Sequence, residues 1–118
     1  MMTVKFYRKS NGRYPVVEFL KELQSAEKAK IAGCLRSIEE LGFDTPRVEF
    51  RQIKGALWEI KIKTAQSGYR LFYVSVKNKT IVLLHMYKKQ SQKAPIKEIE
   101  MAELRMWEVL KNESIYFD

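Results

Sequence analysis

Apolar and polar positions along the chain divide it into short strands and amphipathic helices. Val4, Phe6 and Tyr7 mark a short strand over Thr3–Tyr7, and Asn11-Gly12 signals a turn after it. Pro15 suits the first turn of a helix, in which Val16, Phe19, Leu20 and Leu23 recur at helical spacing. Ser25 can cap a second helix, with Glu27 favourable in its first turn. Ile31, Leu35 and Ile38 then give one buried stripe, helped by Cys34 and Leu41, and Gly42 suits a left-handed helix end. Two amphipathic helices with so short a link form an αα-hairpin.

After a loop over Phe43–Pro46 the period changes to two. Val48–Ile53 reads as an edge strand, because Arg and Glu interrupt its apolar residues. Trp58, Ile60 and Ile62 point one way, while Glu59, Lys61 and Lys63 point the other. Gln66-Ser67-Gly68 makes a turn. Tyr69–Val76 is apolar on both faces and reads as an interior strand. A Lys77-Asn78-Lys79 turn leads to Thr80–Tyr87, the most apolar strand. Pro95 starts a last helix carrying Ile96, Ile99, Ala102, Met106, Trp107 and Leu110. The tail Asn112–Asp118 has no period and is expected to fray. The order β-α-α-β-β-β-β-α defines an α+β class: an antiparallel sheet, two amino-terminal helices and one carboxy-terminal helix. We expect the helices to cover one face. The other would keep Glu59 and Lys61 wet and hold any ligand groove.

With 118 residues and no internal repeat or linker, the chain reads as a single domain over 1–118. Hydrophobic residues make up 46%, enough for a core. Charge adds a functional constraint: 22 Lys plus Arg against 14 Asp plus Glu give +8, which favours an anionic partner. A single cysteine, Cys34, excludes an intramolecular disulfide framework and reads as a small buried apolar residue. No apolar run approaches the roughly 20 residues that span a bilayer, and MMTVKFYRKS has no signal-like apolar stretch. A cytoplasmic protein without membrane contact is expected.

The basic residues concentrate on the strands. Arg70 interrupts an apolar strand, so it must be paired, with Glu59 as a candidate, or face a groove. Its planar fork suits phosphate. Lys61 and Lys63 share the polar face of their strand. Lys88 and Lys89 follow the most apolar strand, and Gln90 and Lys93 extend the polar patch. Tyr87, at the strand end, is a candidate for stacking on a base. Tyr73 alternates with Arg70 and should face the opposite side. No carboxylate cluster with metal-ligand spacing, phosphate-binding glycine loop or cofactor motif is legible. Metal-free RNA scission would therefore use cations to neutralise the phosphorane-like charge. For the proton acceptor, a lysine among Lys61, Lys88 and Lys89 ranks first, Glu59 second and His85 third. The LLHMY context of His85 equally fits a core histidine.

The segments LWEIKIKTAQSGYRLFYV and TIVLLHMYKKQSQKAP resemble the HigB-like, phage-derived branch of the RelE/ParE toxin superfamily. GRYPVVEFLKEL and PIKEIEMAELR resemble the same branch, so the likeness covers nearly the whole chain. The resemblance implies a RelE-like fold and a metal-independent endoribonuclease that cuts mRNA on the ribosome. It further implies the toxin role of a type II toxin–antitoxin pair. A HigA-like helix-turn-helix antitoxin would then form a hetero-oligomeric complex with the chain. Position by position, Arg70 matches the central strand arginine, Lys61 a strand lysine, and Lys88 and Lys89 the basic pair after the last strand. Glu59 stands where RelE has a basic residue, RelE's carboxy-terminal tyrosine has no clear counterpart, and HMY replaces the common HGF. Two other readings stay open: a ParE-like gyrase inhibitor and a non-catalytic basic RNA-binding module.

Overall fold

A computed structural model describes residues 1–90 and 95–117. The elements run β1 (Thr3–Phe6), α1 (Pro15–Lys21), α2 (Ser25–Leu41), β2 (Glu49–Lys54), β3 (Leu57–Lys63), β4 (Gly68–Val76), β5 (Thr80–Lys88) and α3 (Ile96–Lys111). This is the α+β order that the pattern predicts. The strands lie in the order β1-β5-β4-β3-β2, with β2 to β5 forming an antiparallel meander. The sheet is nevertheless mixed, because β1 runs parallel to β5. The αα-hairpin carries the chain from β1 to β2 on the far edge, and the free edge of β5 takes up β1.

Helices cover both faces of this sheet, not one. On the first face Val16, Ile31, Leu35 and Ile38 of α1 and α2 pack on Ile60, Ile62, Leu71, Tyr73, Ile81 and Leu83. On the second, Ala102, Met106 and Val109 of α3 pack on Leu57, Phe72, Val74, Val82 and Leu84. The cause lies in β4 and β5, whose two faces are both apolar. A single helical layer would leave one set in water, at about 1.5–3 kcal/mol for each large side chain.

Smaller departures have local causes. Gln24, not Ser25, occupies the cap position of α2, and no side-chain cap bond forms. Glu27 turns inward instead, and its carboxylate accepts a bond from the Tyr69 hydroxyl at 3.1 Å. Gly42 ends α2 with φ +62°, a conformation that glycine adopts without strain. The tail does not fray as far as it is described. Tyr116 is buried in the α3 cluster, and its hydroxyl accepts the Arg8 N–H at 3.1 Å. Cys34 packs half-buried against the core, and burial pushes its thiol pKa up. Among the described residues no helix is long and apolar enough to cross a membrane.

Candidate nucleic-acid interface

Residues directly opposite in antiparallel strands share a face. Two such cross-strand rows lie on the α3 side of the sheet. The outer row joins Glu49, Lys61, Arg70 and Tyr87; the inner row joins Arg51, Glu59, Phe72 and His85. The rows reach β5 only because of a β-bulge. The register skips one residue where Phe72 pairs with His85 and Tyr73 with Leu83. Leu84 and Tyr87 both join the α3-side cluster, while Leu83 and Met86 join the other. Strict alternation from Leu83 would have turned His85 and Tyr87 away from Arg70. A bulge re-aims side chains in this way.

Beyond the outer row, at the open end of β3, β4 and β5, lies a cleft of about 450 Å³. Among the described residues, Arg47, Lys61, Lys63, Arg70 and Lys89 line it against a single carboxylate, Glu49. Lys61 Nζ pairs with Glu49 Oε2 at 3.1 Å, and that bond holds the Glu49 carboxyl below its usual range. Lys89 is positioned by its backbone, whose N–H donates to the Gly68 carbonyl at 2.8 Å. Arg47 was not anticipated from the sequence. It sits in the loop before β2 with φ +67°, an uncommon conformation for a residue with a Cβ.

Other expected residues lie elsewhere. Lys88 pairs with Tyr69 and therefore projects from the face opposite Arg70. Gln90 is exposed and does not line the cleft. Lys93 falls outside the described residues. Tyr87 is buried beside Phe72 at 5.8 Å and His85 at 6.4 Å, so its ring is not open to an incoming base. Burial pushes its hydroxyl pKa up, with Glu59 adding to the effect.

Glu59 is the largest correction. It is fully buried, not wet, because α3 closes over the inner row. Its Oε1 accepts a bond from Arg70 Nη1 at 3.0 Å, and Arg51 Nε lies 3.9 Å away. Oε2 is buried without a partner among the described residues. Arg70 thus does both things the sequence left open: it is paired, and it lines the groove.

His85 is built into a network with α3. Its Nε2 lies 3.0 Å from Glu98, and its Nδ1 lies 3.2 Å from Arg105 Nη1. Arginine only donates, so we assign Nδ1 as the acceptor and Nε2 as the nitrogen that donates to Glu98. Arg105 also donates to the Leu84 carbonyl at 3.0 Å and lies 5.2 Å from the centre of the Tyr7 ring. Burial lowers its pKa. Tyr7 in turn donates to Glu108 at 3.0 Å, and burial pushes its hydroxyl up to about 12. Only the apolar stripe of α3 was legible in sequence; Arg105 stands among its buried residues and had no signal of its own.

The family described as Phage derived protein Gp49-like (DUF891) matches residues 18–107. The chain belongs to this family. The Gp49-like family is a phage-derived family of RelE/HigB-like toxin character. No curated protein matches the chain. The Gp49-like match contains every cleft residue from Arg47 to Lys89 and the His85–Arg105 contact, and it leaves out β1 and Tyr116. Among the described residues no group of three His, Cys, Asp or Glu side chains is placed to hold a metal ion.

Proposed function

We propose that this Gp49-like protein is the HigB-like toxin of a type II toxin–antitoxin pair and cleaves mRNA, on the ribosome, without a metal ion. The observation that carries the proposal is the cleft in which Arg47, Lys61, Lys63, Arg70 and Lys89 converge around one carboxylate. Such a cleft suits a phosphodiester. The Arg70 fork, held from behind by Glu59, would meet the phosphate oxygens, and Lys61 and Lys89 would neutralise charge that develops when the 2′-hydroxyl attacks. Glu59 has 1% of its side chain exposed, which suits a group that orients Arg70 better than one that touches RNA. With both nitrogens of His85 engaged, the proton acceptor is best sought among Lys61, Lys89 and Glu49. A HigA-like antitoxin encoded beside the gene would neutralise the activity.

Expression from a controlled promoter tests this reading. Growth should arrest, with mRNA cut at ribosome-bound codons, and a co-expressed antitoxin should restore growth. Loss of one transition-state contact should reduce cleavage on the order of 10²–10³-fold. Full toxicity in both Arg70→Ala and Lys89→Ala would show the site to be wrong. Arrest with intact mRNA and inhibited gyrase would favour the ParE-like reading. Salt-dependent RNA binding without cleavage would favour a binding module.

A further inference from the structure

A second cavity, of about 660 Å³, lies on the α2 side of the β2 edge and shares the walls Val48 and Glu49 with the cationic cleft. Its remaining walls are Phe43, Phe50, Trp58, Tyr73 and Ser75. The rings of Phe43 and Phe50 meet edge-on at 5.1 Å, and Phe50 meets Tyr73 edge-on at 6.3 Å. Phe43 is 54% exposed, so one wall stands open to an incoming group. Tyr73 is almost wholly buried, yet its hydroxyl has no hydrogen-bond partner among the described residues.

We infer that this aromatic pocket binds a nucleobase of the RNA strand whose phosphate occupies the cationic cleft. The inference rests on the phosphodiester reading of that cleft and adds a base subsite to it. Two observations select a base as occupant. The shared wall of Val48 and Glu49 sets the pocket directly beside the proposed phosphate-binding cleft, so a strand held there by its backbone can present its neighbouring base to the pocket. The Tyr73 hydroxyl decides against an aliphatic side chain, which would seal that hydroxyl away from water unpaired. A base offers both a π-face to Trp58 or Phe43 and donor and acceptor groups on its edge. Burial pushes the Tyr73 pKa up to about 12, so the hydroxyl keeps its proton and can serve either edge group.

The test uses an RNA hexamer made uncleavable by 2′-O-methyl groups, and a set of hexamers each carrying one abasic position. Affinity is read by Trp58 fluorescence in a Trp107→Phe background. One abasic position should bind about tenfold more weakly and lose the quenching of Trp58. Phe43→Ala changes an exposed residue and should fold. It should weaken the intact hexamer by a similar factor and remove the penalty of that one abasic position. Lys89→Ala separates the two readings. If Lys89→Ala weakens binding but no abasic position and no Phe43→Ala effect is found, the cleft stands and the base pocket is overturned. If neither Lys89→Ala nor Lys61→Ala weakens binding, the cleft reading itself fails. If Phe43→Ala spares RNA affinity and weakens association with a co-expressed antitoxin, the surface docks protein and the proposal is overturned.

Discussion

The buried Glu59–Arg70 pair allows a double-mutant cycle with opposite expectations for stability and function. Arg70→Met leaves the Glu59 carboxylate fully buried, with Arg51 at 3.9 Å as the one remaining ion-pair partner among the described residues. Breaking a buried pair from one side costs about 3–5 kcal/mol. Against a total stability of about 5–15 kcal/mol this is a large fraction. At about 4 °C per kcal/mol, Tm falls by about 12–20 °C. Glu59→Leu should cost less, about 1–3 kcal/mol, because Arg70 borders the cleft and can regain water. The double variant removes both charges and should recover to within about 1 kcal/mol of the parent, as hydrophobic replacements of buried pairs do. Urea unfolding of all four proteins measures the cycle, and the coupling should be about 3 kcal/mol or more. Growth arrest should stay lost in the double variant, because the phosphate contact is gone. A double variant whose loss equals the sum of the single losses to within about 0.5 kcal/mol would refute the reasoning.

Other expectations follow from the placement of single residues. Lys89→Ala should weaken binding to single-stranded RNA and reduce the slope of log K against log salt by about 0.7, whereas Lys88→Ala, on the other face, should change neither; equal effects would contradict the register of β5. Arg105→Met strips partners from His85 Nδ1 and the Leu84 carbonyl and should cost about 2–4 kcal/mol in denaturant unfolding, while His85→Gln should leave the pH–rate profile of cleavage unchanged. Folded Tyr73 keeps its proton up to about pH 12, while the unfolded chain loses it near 10, so the native state binds more protons in that window. Stability should then fall as pH rises from about 10 to 12, with Tyr73 contributing up to about 1.4 kcal/mol per unit. Unfolding at several alkaline pH values should show a shallower decline in Tyr73→Phe, and an unchanged slope would rule out this contribution.

The elements, their order and the cationic character of the meander were legible in the sequence, because helical and strand periods and turn residues act over a few neighbouring positions. Pro15, Gly42 and the alternation from Trp58 to Lys63 each placed an element close to where it lies. The identity of Arg70 as a groove residue was legible for a similar reason: an arginine in an apolar strand needs a partner or an opening. Tertiary structure alone decided which side each residue serves beyond a break in alternation. The bulge at Leu84–His85 turns His85 and Tyr87 toward Arg70 and leaves Lys88 behind. Packing of α3 on the second face buries Glu59 and creates the Arg105 contacts, because a partner dozens of residues away supplies the covering surface. Arg47 enters the cleft through a loop that has no period to read. Local chemistry sets what each segment becomes, and long-range contacts set which charges end up in water, in a pair or in a cleft.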